Sequence, residues 1–147
     1  GSFVRIADAG LALPTFPIVG EGLLPPLTDD GLDAVNRQRA DLGLEATELS
    51  DVWLHFFHRV GGILLLCGAA LLWWQTSGER LSARGSRLVK ASRAALILTF
   101  LCLFEGLVGV LLLWSLLDPL ALGFHMVMSA FILRQALSIA LYARAGL

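Results

Sequence analysis

The stretch Asp51-Val52-Trp53-Leu54-His55-Phe56-Phe57-His58-Arg59-Val60-Gly61-Gly62-Ile63-Leu64-Leu65-Leu66-Cys67-Gly68-Ala69-Ala70-Leu71-Leu72-Trp73-Trp74-Gln75 decides the fold. From Val60 to Gln75 it carries no charge. A helix rising about 1.5 Å per residue needs about 20 apolar residues to cross the hydrocarbon core of a bilayer, and Val52–Gln75 exceeds that. Two more runs of the same kind follow, Ala94–Leu117 and Leu120–Tyr142. The fold expected is all-α, a transmembrane helical bundle with three spans in this chain. Polar atoms in lipid need a closed bundle around them, so a fourth helix is expected from upstream or from a partner.

Composition agrees. Of 147 residues 56% are hydrophobic and 16% charged, against about 45–50% and about 25% in soluble domains. The length suits one compact domain. Cys67 and Cys102 lie inside apolar runs and read as small buried hydrophobes, which leaves neither a disulfide framework nor a CxxC motif.

Residues 1–50 differ in kind from 51–147. They hold Pro14, Pro17, Pro25 and Pro26 and the acids Asp8, Glu21, Asp29, Asp30, Asp33, Asp41, Glu45 and Glu48. This reads as an irregular polar region with one short helix, Thr28 to Leu42, begun by the Asp29-Asp30 pair. No basic stretch followed by an apolar run marks a signal peptide. The connection between the first two spans, 76–93, carries Arg80, Arg84, Arg87, Lys90 and Arg93 against Glu79 alone. The positive-inside rule makes it cytoplasmic, with 1–50 and the Asp118-Pro119 turn outside. Trp53, Trp73, Trp74 and Trp114 fall near span ends, as an interfacial belt requires.

All three histidines lie in the spans. His58 and His125 are each about 10 Å below the same surface, on spans running in the same direction. Two level imidazoles suit axial ligation of one macrocycle, as in bis-histidine haem sites, and Gly61 and Gly62 leave room for the ring. The plainer reading is two polar residues satisfied across helix interfaces. His55 shares a face with His58 and reads either as a neighbour of a propionate or substrate or as an interfacial histidine. Arg59 suits a haem propionate because its planar guanidinium grips a carboxylate at two points. Glu105 and Arg134 both sit near mid-membrane and are expected to pair.

These residues resemble a known family. Gly1-Ser2-Phe3-Val4-Arg5 with Ala9-Gly10-Leu11, the Pro25-Pro26-Leu27-Thr28 stretch, Trp53-Leu54-His55-Phe56-Phe57-His58-Arg59 and Gly123-Phe124-His125 are similar to motifs of haem A synthase. That family is built from two related four-helix halves. The resemblance implies that the three spans are the second to fourth helices of one half, with haem, b-type or haem O/A, held by the iron ligands His58 and His125 and assisted by Arg59. The activity it implies is oxidation of the haem O C8 methyl to formyl. His55 stands where the family carries a glutamate important for that oxidation, which argues against full activity and leaves the catalytic residues unknown. The alternative is a non-catalytic haem-binding or structural accessory subunit of a respiratory or photosynthetic membrane complex. The expected partners are the lipid bilayer and either a second copy of the chain or a larger membrane complex, not nucleic acid. The expected location is a bacterial or archaeal plasma membrane.

Overall fold

A computed structural model describes residues 2–17, 22, 24–82 and 86–144, with side chains for 4–17, 22, 24–77 and 89–141. Every regular element among them is helical: α1 (Ser2–Ile6), a 3-10 turn at Ala9–Leu11, α2 (Asp29–Asp41), α3 (Leu49–Ser82), α4 (Ser86–Trp114) and α5 (Pro119–Arg144). Within α3, α4 and α5, the segments Leu49–Ser77, Val89–Trp114 and Pro119–Leu141 are long and apolar enough to cross a membrane. Of the basic connection 76–93, residues 83–85 lie outside the described residues, as do the side chains of Glu79, Arg80 and Arg87.

The chain divides into two compact units, Gly1–Gly61 with Val110–Ala121, and Gly62–Gly109 with Leu122–Leu147. In the first, the proline-rich segment folds against the opening turns of α3. Leu13, Val35 and Val52 form one fully buried cluster with Leu32 and Phe56, and Val4, Ala9 and Ala12 form another with Leu54. The irregular backbone here is held by side chains. Asn36 and Thr47 exchange two hydrogen bonds, Thr47 N–H donating to Oδ1 (2.9 Å) and Nδ2 donating to the Thr47 carbonyl (3.3 Å). Arg39 donates from Nε to the carbonyl of Glu45 (2.8 Å) and from Nη1 to that of Leu11. Burial pulls this guanidinium below its ordinary value while Asp51 opposes the shift, and an arginine so held stays charged.

In the second unit, Ala69 of α3, Leu98 and Cys102 of α4 and Ile132 of α5 pack together, flanked by Leu66, Leu101, Ala136 and Ile139. The small residues let the helices approach closely, as membrane interfaces require. Gln135 Nε2 donates to the Ala94 carbonyl at 3.0 Å, and Phe104 meets Phe124 edge to face at 5.9 Å. Cys102 is buried as expected. Cys67 is instead exposed on the outer surface of α3, an apolar thiol facing the surroundings.

Two helix ends show the same geometry from different sequences. After α2, Gly43 (φ 71°) donates its N–H to the Ala40 carbonyl and Leu44 to that of Arg39, satisfying the last carbonyls with a left-handed residue. After α4, Leu116 (φ 51°) donates to Leu113 and Leu117 to Leu112. The span expected to run to Leu117 therefore stops at Trp114. The cause lies beyond it: Pro119 disfavours helical backbone at Asp118, so the chain must turn first. Leu117 then packs at Gly10, where a Cβ would meet its Cδ1 at 3.0 Å. Asp118 restarts the chain as the N-cap of α5, its Oδ1 accepting from the N–H groups of Leu120 and Ala121, each at 3.0 Å, with Pro119 at the first helical position.

The paired ends make opposite predictions. Gly43→Ala adds a Cβ that meets nothing but forces an L side chain into left-handed backbone, and is expected to cost about 1 kcal/mol. Leu116→Gly removes that same strain and should raise the thermal midpoint in detergent. Scanning calorimetry on the two variants checks both signs.

Candidate functional site

The histidines of the spans fall in two places, one in each unit. In the first, His55, His58 and Arg59 occupy two turns of α3. His55 is buried, and its Nδ1 accepts the N–H of fully buried Leu13 at 3.3 Å. The ring also hydrogen-bonds the backbone of Ala9. Both ring nitrogens thus serve the Ala9–Leu13 segment. Arg59 does related work one turn on, donating from Nη1 to the Thr15 carbonyl (2.7 Å) and from Nη2 to that of Leu13, with its guanidinium 5.7 Å above the Phe16 ring.

The reason is local. Residues 12–17 are non-helical, so their carbonyls have no intrahelical partner. Arginine presents a fork of N–H donors that reaches two such carbonyls at once. Where a propionate was expected at Arg59, two carbonyls already take one N–H from each Nη, leaving the others for a ligand. His58 is half-buried, and a Cβ at Gly61 or Gly62, the positions one turn further along, would meet nothing within 4 Å. The chain's own packing therefore does not require glycine at either position.

In the second unit, His125 of α5 faces Glu105 of α4. Nδ1 of His125 lies 3.2 Å from Glu105 Oε1, and the same oxygen accepts the hydroxyl of Ser129 at 2.5 Å. Glu105 Oε2 is buried with no hydrogen-bond partner among the described residues. A Cβ placed on Gly109 would lie 3.6 Å from Cε1 of His125, so the ring sits beside Gly109. The cluster is thus two i, i+4 pairs on neighbouring helices, Glu105 with Gly109 and His125 with Ser129.

The expected partner of Glu105, Arg134, takes no part: the carboxylate meets His125 and Ser129, and Arg134 is exposed. Nine residues separate Arg134 from His125, which at about 100° per residue puts it on the opposite face of α5. Ser129 has no counterpart in the sequence reading, although its spacing of four from His125 was the signal that could have found it. Among the described residues no three His, Cys, Asp or Glu side chains converge as a protein-only metal site would need. A haem iron asks less, because the macrocycle supplies four ligands and the protein one or two. The donor set fits that group. An imidazole with a carboxylate beside its Nδ1 is the arrangement found behind metal-ligating histidines.

A family model described as cytochrome oxidase assembly protein, COX15-CtaA, matches residues 1–146. No curated protein and no solved structure matches the chain.

The anchoring roles of His55 and Arg59 predict specific losses. His55→Leu leaves the buried Leu13 N–H unpaired and should destabilise the protein by about 1–3 kcal/mol, measured by denaturant unfolding in micelles. Arg59→Lys replaces the fork by a point charge, and hydrogen exchange at residues 13–16 should quicken while that of α5 stays unchanged.

Proposed function

Because the chain belongs to the cytochrome oxidase assembly protein family COX15-CtaA, the family of haem A synthase, we propose that it is a haem-binding membrane protein with His58 and His125 as the axial ligands. The observation that carries this reading is His125: an imidazole inside an apolar span with a carboxylate beside its Nδ1. An ionisable pair in a span is costly unless it serves a function, and metal ligation is the function this donor set fits. The His58-Arg59 pair on α3, beside the open Gly61 and Gly62 positions, supports the second ligand. Arg59 keeps N–H groups for a propionate beyond those it gives to Leu13 and Thr15. Bound haem would supply a one-electron couple and, for a synthase, the C8 methyl to be oxidised. Pairing of two such bundles, or docking on a larger membrane complex, would supply the further helices a closed haem site needs.

The pyridine haemochrome spectrum of the purified protein tests the ligands. Wild type is expected to carry haem, with His58→Ala and His125→Ala each losing most of it. Absence of haem from wild type, or unchanged haem in both variants, overturns the assignment.

His55 favours a second reading, a haem-binding accessory subunit without oxidase chemistry. The position that carries glutamate in haem A synthase holds here a histidine engaged with the backbone around Ala9 and Leu13. Co-expression with a haem O-forming enzyme separates the two readings, because only the synthase yields formyl-bearing haem in the extracted pigment.

The charge asymmetry supports residues 1–50 outside and 76–93 on the cytoplasmic side. A cysteine introduced at Asp30 in a Cys67→Ala, Cys102→Ala background should react with a membrane-impermeant maleimide in intact cells. One introduced at Glu79 should react only after the membrane is opened.

A further inference from the structure

Glu105 is the one carboxylate inside the apolar stretch of α4, and the described residues contain no cation of Lys or Arg type to offset it. Its neighbours are a histidine at 3.2 Å and a serine hydroxyl at 2.5 Å, while Oε2 is buried without a hydrogen-bond partner among the described residues. As mere packing this is a poor choice, since an apolar residue of similar volume would avoid the desolvation cost. The contact is at ion-pair distance without meeting hydrogen-bond geometry at Nδ1.

We propose that Glu105 is the positioning residue of the haem site: its carboxylate fixes the Nδ1–H tautomer and the ring orientation of His125, and its charge tunes the haem iron through that ring. The inference rests on the reading of His125 as an axial ligand. An anionic acceptor on Nδ1 makes imidazole a stronger donor at Nε2, which stabilises ferric over ferrous iron and holds the potential down. Ser129 works in the other sense. Its hydroxyl donates to the same oxygen that faces His125 and draws off part of the negative charge. Gly109 brings the α4 backbone beside Cε1 and limits how far the ring can swing.

The test is a redox titration of the haem-loaded protein, with haem retention measured by transfer to apomyoglobin. Glu105→Gln keeps an acceptor of the same shape without the charge: haem should stay bound and the midpoint potential should rise. Glu105→Ala should raise it too and weaken retention about 10- to 100-fold. Ser129→Ala should shift the potential downward. A residue that only ties α4 to α5 would change thermal stability and leave all three potentials at the wild-type value. If His125→Ala loses haem while the Glu105 and Ser129 variants match wild type in potential and retention, the positioning role is overturned and the haem reading stands. If His125→Ala keeps the wild-type spectrum, the ligand assignment fails and this inference with it. Should Glu105→Ala not fold, the near-isosteric Gln variant and Ser129→Ala still decide by the sign of their shifts.

Discussion

Hydrocarbon offers no hydrogen bonds, so each polar group carried into α3, α4 or α5 must find its partner within the protein. Thr76 and Thr99 meet the demand inside their own helices, donating to the carbonyls of Leu72 and Ala95 four residues back, and Ser138 does the same to Arg134. Gln135 reaches across to the carbonyl of Ala94. Groups that cannot be satisfied by their own helix determine what packs beside them. Glu105 requires His125 and Ser129, and His55 requires the backbone of Leu13 and Ala9. The polar residues of the spans therefore do more than the leucines to specify which segments meet, since leucine packs equally well against lipid.

The same constraint explains how a proline-rich segment acquires a fixed structure. Residues 12–17 run without helical bonding, and their carbonyls would be orphaned against the apolar face of α3. Arg59 takes two of them and His55 receives the N–H of Leu13, so that Leu13 can sit fully buried against Val35 and Val52. The motif Trp53–Arg59 is thus both part of the opening turns of a span and the anchor of residues 12–17. Trp53 adds an aromatic cluster at this level, with Phe56 at 5.9 Å and Phe57 at 5.4 Å between ring centroids.

Most of the fold was legible in the sequence because apolar length is a one-dimensional property. The three spans, the helix begun by Asp29-Asp30 and the break at Asp118-Pro119 follow from runs and breakers alone. The end of α4 was not legible. Leu116 and Leu117 extend the apolar run by composition, and only the backbone reveals that they form a left-handed turn where glycine is the usual residue. The Glu105 partner was missed for a related reason. Matching charges by depth alone favours Arg134, whereas a helix presents residues by angle as well as by height, and the angle selects Ser129 with His125. His55 showed the same limit: sequence places it on a face with His58, but not in the embrace of backbone atoms more than forty residues earlier in the chain.

That embrace bears on how the family's chemistry could be kept or lost. A glutamate at position 55 would be a poor acceptor of the structural role seen here: it can take the Leu13 N–H but, when ionised, it has no proton to give to the backbone at Ala9. A neutral histidine does both, with one ring nitrogen as acceptor and the other as donor. With both ring nitrogens engaged by backbone, His55 holds a loop in place. Arg59 then completes the anchoring, and the carboxylate within the apolar stretch of α4 is Glu105, beside His125. On the haem-binding reading proposed above, an acidic influence on the cofactor would act through His125 on α5 rather than beside the His-Arg motif on α3.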